Sequence, residues 1–158
     1  MTIIIYLLLI SMLFYIGILL WLIAGNMFLD SAPDSLDTPP VSVIIAIRNG
    51  EDTLPRLLAD LSSQDYSGKL EFILVDDESE DSTKKIIQEK IANDRRFIYE
   101  SSTNGNHAFR YKKRALDAGI KRANHEWLLF TDADCHMKSS WVRAMVSQFN
   151  KDVDYVVG

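Results

Sequence analysis

Two hydrophobic patterns divide this chain. Residues 2–26 carry no charged side chain and are dominated by Ile, Leu, Tyr, Phe and Trp, an apolar stretch of the length a helix needs to span a bilayer. Beyond it, short apolar runs alternate with stretches of helical spacing. The β-branched run 41–47 reads as a buried strand. Leu54, Leu57, Leu58 and Leu61 mark one face of a helix over 54–63. A strand follows over 70–75, then a helix over 82–91 with Ser79 or Asp81 as its N-cap. A short strand is expected at 97–99. The next helix, 112–123, lines Ala115, Leu116, Gly119, Ile120 and Ala123 along one stripe. Residues 127–130 form a strand, 140–149 a helix, and Tyr155, Val156 and Val157 open a further strand. Strands alternating with helices predict an α/β domain with a mostly parallel sheet joined by right-handed crossovers.

The same pattern gives the domain organisation. Residues 1–26 are expected to form one transmembrane anchor. No Lys or Arg precedes the apolar run, and it is longer than the apolar core of a signal peptide. Residues 27–40, with Pro33, Pro39 and Pro40 among acidic and polar residues, read as a linker. Residues 41–158 form the soluble domain. A domain boundary inside a strand would leave an open sheet edge, so this domain is expected to be truncated at its C-terminal end. The first cation is Arg48, too far from the apolar run for the positive-inside rule to orient it.

Charge and cysteine content narrow the chemistry. With 17 basic and 22 acidic residues the net charge is -5, which argues against a nucleic-acid partner held by a broad basic surface. The single cysteine, Cys135, excludes an intramolecular disulfide and a Cys-rich zinc site. It is expected to be a small buried hydrophobe.

The candidate chemistry lies at the strand ends. Asp132 and Asp134 close the apolar run 127–131. Two carboxylates one residue apart repel unless a cation lies between them, and in an extended segment positions i and i+2 share a face. A polar loop after a strand is the plainer reading. Asp76 and Asp77 close the strand at 70–75 in the same way. Ligands of open α/β sheets bind outside the carboxyl ends of the strands, so two acidic ends predict one site for a metal and a polar, phosphorylated ligand. The acidic segment 76–81 holds more carboxylates than a helix cap needs, and such crowding calls for donors or a cation. Asp76 is placed to accept hydrogen bonds from a base or ribose, whereas capping accounts for Asp81 and Ser82. Arg48 and Asn49, after the first strand, fit a base or phosphate contact, and equally a polar turn. No Gly-rich dinucleotide fingerprint or P-loop follows that strand. The cluster Arg110, Tyr111, Lys112, Lys113 and Arg114 opens a helix where dipole and side-chain charge favour phosphate, although such runs are usually solvated faces. His136 is close enough in sequence to tempt as a third metal ligand, but most histidines so placed are loop residues. Trp127 and Trp141 are assigned to packing and Trp21 to the anchor's aromatic belt.

Four segments, in order and spacing, resemble the family 2 glycosyltransferases, inverting enzymes with a GT-A (Rossmann-like) fold: 41–49 (VSVIIAIRN), 75–83 (VDDESEDST), 112–120 (KKRALDAGI) and 127–135 (WLLFTDADC). The resemblance covers about 41–158. It implies that Ala46 and Arg48 line the base of a nucleotide-sugar, that Asp76 holds the base with Asp77 beside it, and that Lys112 approaches the base or diphosphate. Asp132 and Asp134 correspond to the family's DxD motif, with Asp134 on Mn²⁺ or Mg²⁺ and Asp132 on the ribose or the metal. Tyr111 stands where family members often carry glycine. The carboxylate base that inverting transfer requires is expected beyond Gly158, since Asp152 and Asp154 lack the expected context.

The resemblance thus implies a membrane-anchored enzyme moving a sugar from a UDP- or GDP-linked donor to the hydroxyl of a glycan or lipid-linked acceptor, with inversion, in envelope polysaccharide or glycolipid synthesis. Its soluble domain would face the cytoplasm, where such donors reside. This chain, without its base, is expected to be inactive alone. Three alternatives remain: a non-catalytic nucleotide-sugar-binding module, a receiver-type signalling domain, and a phosphatase using the paired aspartates. The receiver reading would place acids after the first strand, where Arg48 and Asn49 stand.

Overall fold

A computed structural model describes residues 2–27, 38–149 and 155–157, which fall into two units, 1–35 and 36–158. The first unit is one helix, α1 (Thr2–Met27). At 1.5 Å per residue it is about 39 Å long, and its span Ile3–Ala24 is long and apolar enough to cross a membrane. The side chains from Ile3 to Ile23 are exposed. Its hydroxyl at Ser11 is satisfied locally, donating to the carbonyl of Leu8 at 2.9 Å. The linker expected over 27–40 lies mostly outside the described residues.

The second unit runs β1 (Val41–Ile47), α2 (Leu54–Ser62), β2 (Leu70–Asp76), α3 (Thr83–Asn93), β3 (Phe97–Ser101), a 3₁₀ turn (Ser102–Asn104), α4 (Lys112–Arg122), β4 (Trp127–Asp132) and α5 (Trp141–Val146). The four strands are parallel, in the order β3-β2-β1-β4. The chain walks outward from β1 to β3, then crosses back to place β4 on the other side of β1. That reversal leaves a crevice at the carboxyl ends of β1 and β4, the switch point where α/β sheets bind ligands.

Strand alternation supplies both faces of the sheet with apolar side chains. Val41, Val43, Ile45 and Ile47 of β1, with Phe72 and Leu74 of β2, pack under Leu54, Leu57, Leu58 and Leu61 of α2, Ile87 of α3 and Val142 of α5. Ile44, Ile73 and Val75 face the other way, against Ala115 and Ala118 of α4. Each of these Ile and Phe side chains contributes about 1.5–3 kcal/mol by leaving water.

Helix α4 lies very close to the sheet. A Cβ at Gly119 would collide with Cγ2 of Ile44 and come within 3.0 Å of Cγ2 of Val75. The buried stripe is therefore Ala115, Ala118 and Gly119. Ile120, expected on that stripe, is 46 % exposed, because small residues set the helix depth and turn the larger side chain outward.

Two buried polar clusters fix the connections. Glu71 accepts from Oγ of Ser42 at 2.6 Å and from the amide and side chain of Asn124, both at 2.8 Å, tying the end of α4 to β1 and β2. Gln64 accepts from the amide of Val142 at 3.0 Å and donates to the carbonyls of Lys138 at 2.9 Å and Asp60 at 3.0 Å, seating α5 on α2.

Several expectations need correction. Residues 155–157 carry no regular structure where a strand was expected. Helix α5 is shorter than 140–149 because the chain turns after Val146, with Phe149 stacked on Trp127 at 4.4 Å. Cys135 is exposed, since it lies in the turn that leaves the sheet. Asp152 and Asp154 lie outside the described residues.

Gly119→Val should lower stability by about 1–3 kcal/mol through overpacking, read as a lower urea midpoint. Glu71 provides a pH test. Burial raises its pKa, but the hydrogen bonds from Ser42 and Asn124 outweigh that and hold it below the ordinary 4.5. A depressed carboxylate contributes stability above its unfolded pKa and loses it as pH falls through the folded value. The urea midpoint of the native chain should therefore drop more steeply between pH 7 and pH 4 than that of Glu71→Gln. The substitution itself should cost about 1–3 kcal/mol at neutral pH by turning an amide toward the Asn124 donors.

Candidate donor-binding site

Register places the candidate residues on one edge. Ala46 lies level with Asp132, and Ile47 with Asp76. Both acidic strand ends thus flank the end of β1. With strands about 4.8 Å apart, the backbones of Asp76 and Asp132 stand about 10 Å from each other. Something must bridge them if they act on one ligand.

The turns after β1 and β2 are laced together. The amide of Asn49 donates to Oγ of Ser79 at 2.9 Å, and Oδ1 of Asn49 accepts from the amide of Glu80 at 2.9 Å. The amide of Gly50 donates to Oγ1 of Thr83 at 2.7 Å. Glu51 and Ser82 complete the lacing through Oδ2 of Asp81 and Oε2 of Glu51, each at 3.0 Å. Asn49 has a φ of 50°, a conformation its short polar side chain tolerates. It therefore serves the polar turn, while Arg48 next to it stays exposed.

This lacing meets much of the acidic charge that the sequence crowds into 76–81. Asp76, only 6 % exposed, accepts from the amide of Ser79 at 3.0 Å and from the Tyr99 hydroxyl at 3.4 Å. Burial pushes the Tyr99 hydroxyl's pKa up, and the Asp76 charge adds to the shift. At Asp81 burial raises the pKa, but hydrogen bonds from Thr83 and from the amide of Glu51 bring it below the usual carboxylate value.

Asp77 and Glu78 are met by Arg114, which donates to Asp77 at 3.4 Å and pairs with Glu78. On the same first turn of α4, Lys112 pairs with Asp132. One helix end therefore reaches both acidic strand ends. The residue before the helix, Tyr111, has φ 54° and ψ -143°, a region that glycine adopts freely and a bulky side chain does not. The backbone thus keeps the geometry that glycine would supply at that position.

Asp132 is the last residue of β4, whereas Asp134 sits in the turn beyond it and is exposed. The two do not share a face by strand pleating; the turn sets where Asp134 points. His136 is directed elsewhere: its Nδ1 lies 3.2 Å from Oδ2 of Asp60 on α2, and the Met137 amide donates to the same oxygen at 3.3 Å. Those two contacts, the His136 hydrogen bond foremost, hold Asp60 below the ordinary carboxylate pKa. Among the described residues no group of three or more His, Cys, Asp or Glu side chains converges. Asp132 and Asp134 nonetheless offer hard oxygen ligands at an open edge, a donor set that suits a divalent cation whose remaining ligands come from phosphate and water.

Beside the outer edge of β4 lies a groove of about 930 Å³, with Lys112, Asp132, Cys135 and His136 among its lining residues. Arg114 is the functional candidate not singled out from the sequence. It was one charge in a basic run, and only the fold separates Lys112 and Arg114, which meet acids, from Arg110 and Lys113, which stay exposed.

The family model for glycosyl transferase family 2 matches residues 42–158. Glycosyltransferase AglE of Haloferax volcanii is 32% identical over 124 residues, covering 76% of this chain and 39% of that protein. Poly-beta-1,6-N-acetyl-D-glucosamine synthase of Staphylococcus epidermidis is 31% identical over 113 residues, covering 71% of this chain and 26% of its own length. Among solved structures, the mannosyltransferase PcManGT of Pyrobaculum calidifontis, in complex with GDP-Man and Mn²⁺, superposes with a TM-score of 0.67 and 26% identity over 82% of this chain and 39% of that one. The chain thus spans between about a quarter and two fifths of the length of these three proteins. With a parallel sheet of this order and a family match over nearly all of the second unit, the chain belongs to the family 2 glycosyltransferases, with a GT-A fold.

Proposed function

We propose that this chain carries the donor site of an inverting glycosyltransferase that moves a sugar from a UDP- or GDP-linked nucleotide to an acceptor hydroxyl. The observation that carries this reading is the register that sets Ala46, Asp76 and Asp132 around the switch point, with Lys112 reaching over from α4. Ala46 and Arg48 line the base. Asp76 accepts from the base, braced by Ser79, with Asp77 beside it. Lys112 approaches the diphosphate, on the side of the crevice where it pairs with Asp132. The GDP-Man and Mn²⁺ bound to PcManGT support a nucleotide-sugar and a divalent metal as its ligands.

Asp134, together with Asp132, would hold Mn²⁺ or Mg²⁺, with Asp132 also in reach of the ribose. The metal when bound supplies charge that offsets the departing nucleoside diphosphate. What the protein's own groups do is orient: the backbone-braced carboxylate at Asp76 fixes the base, and the ammonium of Lys112 meets phosphate oxygens at a helix N-terminus, where the dipole favours them. No described residue is assigned as the carboxylate base, so the 158-residue chain is expected to bind donor without turning it over.

Relatives named for poly-N-acetylglucosamine synthesis and for glucosyl transfer to an undecaprenol-linked glycan support, as the acceptor, a glycan or lipid-linked hydroxyl in polysaccharide or glycolipid synthesis. The apolar helix α1 supports membrane attachment. Cytosolic nucleotide-sugars would place the catalytic unit on the cytoplasmic face. Membership of this family leaves the receiver-type and phosphatase readings without support.

Calorimetric titration of UDP and GDP into the full chain in detergent, with and without Mn²⁺, tests the reading; one nucleotide should bind, and more tightly with metal. If neither binds a folded chain, the donor-site reading fails. Asp134→Ala should reduce affinity in Mn²⁺ to the metal-free level, a loss of about tenfold or more, equivalent to about 1.4 kcal/mol. Asp76→Ala should weaken binding about tenfold whether or not metal is present, through loss of a charge-assisted hydrogen bond. A loss seen only with metal would move Asp76 into the metal's shell.

A further inference from the structure

The acidic turn after β2 folds around one cation. All three side-chain hydrogen bonds of Arg114 use Nη2, whose two N–H groups are shared among Oδ1 of Asp77 at 3.4 Å, Oε2 of Glu78 and Oγ of Ser102 at 3.2 Å. A single nitrogen thus joins α4 to the turns that follow β2 and β3. Asp77 is itself buried, at 6 % exposure, and a buried carboxylate demands a partner. The Arg114 side chain is mostly covered too, at 20% exposure.

The position leaves part of the Arg114 guanidinium unsatisfied. Its Nε is the one buried side-chain polar atom without a partner among the described residues, and such an orphan in a folded protein calls for a reason. Two backbone features converge on the same spot. Glu78 has a φ of 56°, in the left-handed region that non-glycine residues avoid. At Gly105 a Cβ would run into the carbonyl oxygen of Arg114, so the turn after β3 lies directly on the first turn of α4. Strain, close approach and an unpartnered atom are all accepted around one ion-pair cluster, next to the residue that the donor-site reading assigns to the base.

We infer that Arg114 is a positioning residue of the donor site. By neutralising Asp77 and pinning the Glu78 turn, it holds the end of β2 so that Asp76 keeps its carboxylate between the Ser79 amide and the Tyr99 hydroxyl. The inference rests on the donor-site reading. It gives the two cations of α4 separate roles. Arg114 acts on the base side through Asp77, while Lys112 acts on the phosphate side beside Asp132.

That division can be measured. The full chain in detergent is titrated with the nucleotide that the native protein binds, UDP or GDP, and with the matching nucleoside, which lacks phosphates. NMR line shifts extend the range for weak nucleoside binding. Arg114→Ala should weaken nucleoside and diphosphate by the same factor, about tenfold. Arg114→Lys, which retains a charge but not the planar group, should recover part of that loss. Lys112→Ala should weaken the diphosphate alone. Glu78→Gln, at an exposed position, should leave the circular dichroism spectrum unchanged and cost both ligands about threefold.

A folded Arg114→Ala chain with native affinities for both ligands would reduce Arg114 to a purely structural role and overturn the inference. A loss confined to the diphosphate would overturn it too, by making Arg114 a phosphate ligand. If Arg114→Ala does not fold, Arg114→Lys and Glu78→Gln decide by the same criteria. Native protein that binds neither nucleotide would instead remove the donor-site reading on which the inference stands.

Discussion

Two acidic strand ends separated by a third strand are held by the first turn of one helix. Lys112 pairs with Asp132 and Arg114 with Asp77 and Glu78, so the charges at the carboxyl edge are balanced by groups two residues apart on α4. Much of the remaining architecture answers to that arrangement. The small residues of α4 let it lie low enough on the sheet to reach the edge, the 3₁₀ turn after β3 backs its first turn, and Asn124 at its far end is clasped by Glu71. The two ion pairs differ in kind. Lys112 and Asp132 are both more than half exposed, so their pairing is weak and open to exchange with a ligand. Asp77 is buried, and its loss of a partner would be costly.

The fold was legible because the strands are short apolar runs, β1 and β2 buried on both faces, and α2 shows a clean apolar stripe. Asp76 and Asp132 could be placed at strand ends because each closes such a run. Their relation could not be read. Nothing in the sequence says that β4 returns to the far side of β1, and that one crossing decides which acids flank the crevice. The sequence also presents the acids of 76–81 as a single crowd, whereas the fold sorts them: Asp81 serves the lacing of two turns, Asp76 is braced by a backbone amide, and Asp77 and Glu78 answer to Arg114. His136 shows a related limit. Its neighbour in space is Asp60, on a helix more than seventy residues earlier, and such contacts leave no local signature. The stripe on α4 was misjudged at Ile120 because spacing gives the direction of a side chain but not the depth of the helix.

Among the described residues, the non-glycine residues with positive φ, Asn49, Glu78 and Tyr111, all belong to turns near the carboxyl edge of the sheet. Asn tolerates this region, but residues such as Glu and Tyr held there cost of order 1–3 kcal/mol each and persist where surrounding contacts over-determine them. Here those contacts are visible: Ser79 and Glu80 for Asn49, Arg114 for Glu78, and the start of α4 for Tyr111. Strain is thus gathered where ligand-binding chemistry is proposed, while the opposite edge, with its Glu71 cluster, is satisfied by ordinary hydrogen bonds.

Gly119 gives α4 a pivot. The helix backbone lies close on Ile44 and Val75 there, and its cationic turn lies five to seven residues away, about 8–10 Å along the axis. A rigid rod seated at one point and loaded at its tip converts a small change of tilt into displacement of the tip. Any side chain that lifts the helix off Ile44 or Val75 therefore also swings Lys112 and Arg114 away from the acids they hold. The wall of the core and the charge balance of the crevice are, mechanically, two ends of one lever.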